Sequence, residues 1–441
     1  MNSLIQNSAY TFLSQILSVV SSFGALIIIS RILGPEQQGQ YSLMSMLPRI
    51  ALYVFSFGAP ISFIYFWNTK KDVRWRLLQR YRVYYLMLSL LAFISAAIFV
   101  FTSKHVFYEN IANIQLIKVL ILIFCLFYNS LQGAKLQAQE RFKLLSIITF
   151  SQPFSFFICL TIFALARDLS FNIVVNSFCF SHILAAIIFT TLMITNPIYV
   201  NQGQDKKLEK TFFLKSLKFS ILTHISSLAI FLTYRMDMFF ISKFLTDRDI
   251  GIYMISVNIA ERTWMISESV AKVLFARLVK IHGMLRQTNL TLKVNRMSAL
   301  MNLFAVLTLA IFGKIFIAIF FGDQYADSYQ YLLVLLPGVY FSASAKLLSR
   351  DIEASGHPRI CSNISVISLI FNFFTNLILI PNLDIFGAAL ATTLTYVFYA
   401  VLTTIAFCRL KEVSMLQFIT FKKSDFTQLI RIFSPDSLKS K

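Results

Sequence analysis

The class of fold is set by an apolar run at residues 116–133, which reads LIKVLILIFCLFYNSLQG. At 1.5 Å per residue in a helix, a run of this length crosses most of the roughly 30 Å hydrocarbon core of a bilayer. Its central stretch, Val119–Phe124, does not alternate apolar with polar residues as a transmembrane β-strand does. The run therefore predicts a membrane-spanning helix.

Runs of this kind recur along the whole chain. Of the 441 residues, 57% are hydrophobic and only 14% are charged, whereas a soluble domain is about 45–50% apolar and about 25% charged. This balance excludes a water-soluble enzyme, a disordered regulator and a secreted disulfide scaffold. We predict an all-α polytopic membrane protein with about twelve spans, at residues 9–31, 41–66, 83–102, 116–133, 144–166, 171–194, 217–242, 252–274, 298–319, 329–349, 361–381 and 386–408.

The positive charge of the chain is distributed unevenly. The chain carries 40 Lys and Arg against 20 Asp and Glu, for a net charge of +20. With a cytoplasmic N-terminus, the inner loops and the segment after residue 408 hold 28 of these cations, and the outer loops hold 7. Cytoplasmic loops of membrane proteins collect Lys and Arg, so both termini are predicted to be cytoplasmic. The same rule explains the positive charge without nucleic acid as a partner.

A repeat relates the two halves of the chain. Ile29–Leu33 (ISRIL) matches Ile241–Leu245 (ISKFL) at a shift of 212 residues, and Gly39 matches Gly251 at the same shift. Because six predicted spans separate the copies, both halves have the same orientation in the membrane, as in parallel transporter repeats. The sequence therefore predicts two six-helix bundles related by a parallel repeat.

We place the two bundles at residues 1–205 and 206–408, followed by a basic cytoplasmic tail at 409–441. The loops are too short to form a separate catalytic domain. The five cysteines and five histidines are scattered along the chain, so neither a disulfide framework, nor a metal site, nor a cofactor is predicted.

Eight charged residues within the predicted spans are the candidate site residues. An ionised side chain at the centre of a spanning helix costs roughly 2.5–3.5 kcal/mol on insertion scales, so such residues tend to face water, a partner or a substrate. We expect the cations to line a substrate cavity and the acids to form ion pairs or couple an ion. The cations are Arg49, Arg235, Arg262, Lys272 and Lys346, and the acids are Asp237, Glu261 and Glu268.

Two interpretations of these charges stay open. The arginines either contact an anionic group such as a phosphate or form structural ion pairs. Lys272 and Lys346 lie near predicted inner ends, where a lysine can also snorkel to the interface. Arg235 and Asp237 are two residues apart and point to different helix faces, so we do not expect them to pair.

Prolines within the predicted spans are candidates for static kinks or hinges. Pro48, Pro60, Pro153 and Pro337 lie inside apolar runs. A proline inside a helix removes one backbone hydrogen bond and bends the helix. We therefore expect a static kink or a hinge at these positions.

Several motifs resemble those of polysaccharide and O-antigen flippases, which belong to the multidrug/oligosaccharidyl-lipid/polysaccharide exporter superfamily. The resemblance rests on Ser30–Glu36 (SRILGPE), on Arg235–Asp237 (RMD), on Glu261-Arg262, and on Ile380-Pro381 followed by FGAALAT at 386–392. It extends over essentially the whole chain, and the order and spacing of the motifs make it more specific than any single one.

The resemblance implies a flippase rather than an enzyme, with no catalytic residue. Such a flippase moves an undecaprenyl-diphosphate-linked oligosaccharide, the repeat unit of O-antigen or another surface polysaccharide, from the cytoplasmic to the outer leaflet of the bacterial inner membrane. It works by alternating access, and a polymerase or ligase acts downstream. The resemblance also implies a cationic lumen, with Arg49, Arg235 and Arg262 as candidates for the diphosphate. Asp237 and Glu261 are then candidates for pairing with these arginines or for coupling a proton or sodium ion.

Alternatives stay open at this point. A cation-coupled multidrug exporter of the same superfamily needs an acidic, aromatic pocket, whereas the charge within these spans is mainly positive. A membrane polymerase or ligase that uses the same lipid carrier normally has a large outer loop, whereas the outer loops here are short. A lipid II flippase resembles a fourteen-helix pattern, whereas twelve spans are predicted here.

Overall fold

The computed structural model describes residues 2–69, 74–195, 212–278 and 283–414. Within these ranges the chain is helical, with one short 3-10 turn at Asp323–Tyr325 and no β-strand. The predicted all-α class is confirmed. The helices are α1 (Asn2–Phe55), α2 (Ala59–Thr69), α3 (Arg74–Thr102), α4 (Lys104–Phe107), α5 (Asn113–Ala138), α6 (Phe142–Leu165), α7 (Phe171–Thr195), α8 (Phe212–Thr233), α9 (Met236–Phe244), α10 (Asp247–Arg262), α11 (Trp264–Leu278), α12 (Met284–Phe320), α13 (Ser328–Ala354) and α14 (Pro358–Lys411).

Eight helices in the described ranges are long and apolar enough to cross a membrane. The number is nine if the bent pair His224–Thr233 and Met236–Phe244 counts as one span. Many large apolar side chains on these helices are exposed, among them Leu165 and Phe304, as expected for surfaces in contact with lipid. The chain is therefore a multi-pass membrane protein.

The two longest helices, α1 and α14, each contain a break. Each has 54 residues, which would make a straight helix about 80 Å long, far more than the roughly 30 Å hydrocarbon core. Gly34 (φ 80°, ψ 177°) interrupts α1, and Asp384 (φ 52°, ψ −136°) interrupts α14. Gly34 adopts its positive φ without a Cβ clash, and Pro35 then suits the first turn of the next segment. Both breaks lie between spans that the apolar pattern separates.

The prolines differ in where they lie. Pro48, Pro153 and Pro337 each lie inside a helix that continues through them, so kinks or hinges there stay predictions. Pro60 follows an interruption at residues 56–58, between α1 and α2. Further interruptions lie at Tyr234-Arg235 between α8 and α9 and at Thr263 between α10 and α11. In a helix bundle, neighbouring groups satisfy the carbonyl that a proline frees, so a proline does not by itself end a span.

The described residues divide into two compact units. The first lies within Met1–Phe231 and Leu245–Gly251, and the second lies within Leu232–Phe244 and Ile252–Lys441. The predicted bundle boundary between residues 205 and 206 lies outside the described residues, as does most of the predicted tail at 409–441, so both stay predictions. The helical part extends through Lys411, three residues beyond the predicted end of the last span.

Each unit has its own apolar core. In the first unit, α1, α5, α6 and α7 pack together through Ala25, Ile29, Leu122, Leu126, Phe156, Leu160, Val174 and Phe178. In the second unit, α12, α13 and α14 pack through Leu292, Leu348, Ile352, Cys361 and Phe407. The second core holds α13 and α14, which carry Lys346 and Tyr396 of the site described next.

Candidate functional site

Two charged residues of the second unit, Arg235 and Glu261, lie at or beside helix breaks. Arg235 lies between the end of α8 and the start of α9, and Glu261 lies one residue before the end of α10. A broken helix leaves backbone groups without their helical partners. Arg235 uses one of these groups, because its Nη1 donates to the carbonyl oxygen of Tyr234 at 2.6 Å.

Arg235 and Glu261 form a two-pronged ion pair. The distance from Arg235 Nη1 to Glu261 Oε1 is 3.2 Å, and that from Nη2 to Oε2 is 3.1 Å. The hydroxyl of Tyr396 also donates to Glu261 Oε1 at 3.3 Å. The two charged side chains are 26% and 15% exposed, so solvent or a ligand can still reach them. Two parallel N–H donors are the geometry with which arginine binds carboxylate or phosphate.

Lys346 is held by an acid and by two aromatic rings. Its Nζ lies 2.7 Å from Glu268 Oε1, 3.8 Å from the centroid of Trp264 and 5.3 Å from the centroid of Tyr234. A cation over an aromatic face is attracted by the ring quadrupole. The Lys346 side chain is 14% exposed, whereas that of Glu268 is 51% exposed. Lys346 is therefore packed against these rings.

Three aromatic rings connect the two ion pairs. Tyr234 and Trp264 have centroids 5.1 Å apart, and Tyr396 lies 5.8 Å from Tyr234 and 5.2 Å from Trp264. The indole N–H of Trp264 donates to the carbonyl oxygen of Val339 at 3.1 Å, which fixes the ring. Hereafter the aromatic–ionic cluster denotes Tyr234, Arg235, Glu261, Trp264, Glu268, Lys346 and Tyr396.

Asp237 is buried apart from these ion pairs, with 2% exposure. Its Oδ2 accepts hydrogen bonds from the hydroxyls of Tyr253 at 2.5 Å and Thr392 at 3.4 Å, and its Oδ1 accepts one from the backbone N–H of Met238 at 2.8 Å. As the spacing predicts, Arg235 and Asp237 bind different partners.

The remaining candidates lie outside the cluster or outside what is described. Arg49 is an exposed residue of α1 in the first unit. Arg262 follows Glu261 directly and is half-buried. The side chain of Lys272 lies outside the described residues, so its role stays a prediction.

The aromatic members of the cluster are not among the candidates that the sequence predicts. Tyr234 directly precedes Arg235, and Trp264 follows Arg262 by two residues. The only sign of them in the sequence is that Tyr234 and Trp264 each lie within two residues of a charged residue in a span. It is weak in a chain that is 15% aromatic.

Glu261 occupies the donor edge of Arg235. The same edge of an arginine is the one that binds a phosphate in two-pronged fashion.

The fold is similar to those of two solved membrane proteins. A structure titled "Lipid II flippase MurJ, inward closed conformation" aligns with a TM-score of 0.72 at 13% identity, covering 97% of this chain and 92% of that one. The inward-facing structure of a multidrug resistance MATE family transporter aligns with a TM-score of 0.70 at 12% identity, covering 90% of this chain and 96% of that one.

The chain belongs to the polysaccharide biosynthesis protein family, whose pattern matches residues 4–282. The probable low-salt glycan biosynthesis flippase Agl15 of Haloferax volcanii is 27% identical over 171 residues, which is 38% of this chain and only about a third (36%) of that relative. The capsular polysaccharide biosynthesis protein CapF of Staphylococcus aureus is 20% identical over 404 residues, 89% of this chain and 96% of that relative. The resemblance inferred from the sequence motifs is confirmed.

Proposed function

We propose that this chain is a flippase that moves an undecaprenyl-diphosphate-linked oligosaccharide, the repeat unit of O-antigen or another surface polysaccharide, from the cytoplasmic to the outer leaflet of the bacterial inner membrane. Family membership and the flippase and capsular relatives support a transporter of lipid-linked sugars rather than an enzyme. The observation that carries the proposal is the two-pronged pair of Arg235 with Glu261 at a helix break within an apolar span.

In this proposal, the diphosphate competes with Glu261 for Arg235. A diphosphate carries more negative charge and more acceptor oxygens than one carboxylate, so it displaces Glu261 at the donor edge. In the second unit, Arg262, Lys272 and Lys346 supply further positive charge for the anionic group. Arg49 of the first unit stays a separate candidate for contact with the substrate. Once the substrate leaves, Glu261 returns to Arg235, so that the cation is not left desolvated and unpaired.

We further propose twelve spans in two parallel six-helix bundles, with both termini cytoplasmic. The breaks at Gly34 and Asp384 support this count, because each divides a helix too long for one span. Close backbone contacts support the repeat. Gly39 packs against the backbone of Asp247, and Gly251 packs against that of Pro35. Pro35 and Asp247 are related by the same shift of 212 residues as the two glycines.

Asp237 and Glu261 are the proposed sites for a coupling ion, with Glu268 as a further acid of the cluster. Asp237 supports this role because neutral donors surround its buried carboxylate, and among the described residues it forms no salt bridge. Such a carboxylate can take up a proton or a sodium ion without first breaking an ion pair. A polymerase or ligase that uses the flipped units is the proposed downstream partner.

The test uses a strain of the source organism in which the gene is deleted. Undecaprenyl-linked lipids are extracted, and the leaflet that holds completed units is determined. We expect completed units to accumulate facing the cytoplasm and surface polymer to be lost. Units that reach the outer leaflet without being polymerised would instead identify the protein as the polymerase or ligase.

Replacement of Arg235 tests the site itself. We expect Arg235→Ala to lower flipping by about 10- to 100-fold, because a charge-assisted hydrogen bond contributes about 1.5–3 kcal/mol. Arg235→Lys retains the charge but loses the two-pronged geometry and should restore only part of the activity.

The measurement is surface polymer per cell at matched protein levels. The control is Arg359→Ala, at an exposed arginine near the start of α14. Wild-type polymer levels with Arg235→Ala would exclude Arg235 as a substrate contact.

A multidrug exporter is the second candidate, because one observation favours it. The cluster contains three aromatic rings and two acids, Glu261 and Glu268, which is the kind of lining that binds organic cations. Under this alternative, the deletion strain becomes sensitive to cationic drugs while its lipid-linked pools stay unchanged.

A further inference from the structure

A buried lysine of the first unit has no role in the aromatic–ionic cluster. Lys135 lies near the end of α5 and is 3% exposed. Its Nζ donates to Oε1 of Gln132 at 3.1 Å. Among the residues that the structure describes, the neutral side-chain amide of Gln132 is the polar partner of the Lys135 ammonium group. Burial of an ammonium group costs several kcal/mol unless an anion compensates it, so this site favours an anionic ligand.

Another buried lysine of the same chain has such compensation. The side chain of Lys411 is 2% exposed and lies 2.7 Å from the Asp351 carboxylate. Its Nζ also lies 2.8 Å from Ser355 Oγ and 3.5 Å from Gln287 Oε1. A carboxylate and two neutral acceptors thus satisfy Lys411. Lys135, at similar burial, has one neutral acceptor in the described structure.

A second donor lies just beyond the end of α5. Gln139 is the residue that follows the helix and comes four residues after Lys135, so the two side chains are neighbours at this helix end. The Nε2 of Gln139 is buried and has no hydrogen-bond partner. A second positive group comes from α3, where the exposed Arg82 acts electrostatically on Lys135. A buried cation and an unused amide donor therefore lie one helical turn apart, with a second cation near enough to act on the first.

We propose that Lys135, Gln139 and Arg82 form a binding site for a phosphate group at this end of α5. A phosphate offers several acceptor oxygens and negative charge, which match two cations and an amide N–H. The site is distinct from the aromatic–ionic cluster, because its residues belong to the first unit. The phosphate comes from an anionic phospholipid or from the diphosphate of a lipid-linked substrate, and only the second source rests on the proposed function.

The test measures binding to the purified full-length protein in a neutral detergent. The probes are farnesyl diphosphate and dioleoylphosphatidylglycerol, and dioleoylglycerol is the phosphate-free control. We expect Lys135→Met to weaken binding by at least about tenfold, because it removes a charge-assisted contact. Gln139→Leu should have a smaller effect in the same direction. Binding of the diphosphate alone identifies the substrate as the source, and binding of the phospholipid alone identifies the membrane.

The matched control is Lys143→Met, which removes an exposed lysine at the start of α6. It should bind both probes as the wild type does. Equal affinity of Lys135→Met and wild type, an equal loss in both lysine variants, or no binding of either probe overturns the proposal. Failure here leaves the flippase proposal standing, because that proposal is tested by the lipid-linked units in cells.

Thermal unfolding without a probe distinguishes a ligand site from a structural lysine. Replacing a buried, uncompensated charge with an apolar side chain of similar length is neutral or stabilising. We therefore expect Lys135→Met to melt at the wild-type temperature or above it. A clearly lower melting temperature would show that Lys135 stabilises the fold, and would overturn the proposal.

Discussion

Lys411→Met should destabilise the second unit by about 3–5 kcal/mol, because it leaves the Asp351 carboxylate buried without its counter-charge. The two side chains are 2% and 1% exposed, and Lys411 Nζ lies 2.7 Å from Asp351 Oδ1. Asp351 also accepts hydrogen bonds from Thr291 and Ser355. The pair therefore ties α12, α13 and the end of α14 together.

A double variant separates the lost charge from lost packing. Asp351→Asn together with Lys411→Met removes both charges, while the amide oxygen can still accept from Thr291 or Ser355. Replacing both members of a buried ion pair is often close to neutral, so we expect the double variant to recover most of the stability that Lys411→Met loses. The measurement is thermal unfolding of the three proteins in one detergent. A double variant as unstable as Lys411→Met would rule out this electrostatic explanation.

The exposed pair Arg350–Glu353 is the matched control. It lies in the same part of α13, with an N–O distance of 2.8 Å and side chains that are 52% and 30% exposed. Exposed pairs contribute about 0–1 kcal/mol. Arg350→Met should therefore leave the melting temperature almost unchanged, although it removes the same charge as Lys411→Met.

The spans could be predicted because the bilayer imposes a length and an apolar composition on every crossing helix. Interruptions within a span are harder to predict from sequence where contacts with other helices determine them. The run at 217–242 gives no sign that it is interrupted at Tyr234-Arg235. The break depends on groups from other segments, such as the Glu261 carboxylate that binds Arg235. Local propensity singles out Pro153 instead, and α6 continues through it.

The candidate charges could be found from sequence because a charge in a span is costly, but their partners could not. Arg235 and Glu261 are 26 residues apart, and the sequence does not specify which acid faces which cation across packed helices. The positive-inside rule also assigns Lys135 and Lys411 to aqueous segments. Both ammonium groups are buried, because a helix end can turn a lysine toward its neighbours as readily as toward water.

The largest functional effect is expected from Gly39→Ala and Gly251→Ala. A Cβ on Gly39 would overlap the backbone carbonyl of Asp247, and a Cβ on Gly251 would overlap that of Pro35. Backbone atoms at such a contact cannot move aside as a flexible side chain can, so the helices must separate. Around the contact, the Asp247 carboxylate accepts hydrogen bonds from Asn110 at 2.8 Å and Gln40 at 3.3 Å, and separation would break them.

Overpacking at a close contact costs about 1–3 kcal/mol or more. This cost lowers the population of the conformation in which the two glycine contacts are closed roughly 5- to 150-fold. If flipping passes through this conformation, each alanine variant should lose most of its surface polymer in the complemented deletion strain. The control is Gly133→Ala in α5, where the added Cβ meets only Leu145 Cδ1 at 3.8 Å. This change should be tolerated, because alanine favours a helix over glycine by about 1 kcal/mol. Wild-type polymer with Gly39→Ala and Gly251→Ala, at normal protein levels, would show that the transport cycle does not require this contact.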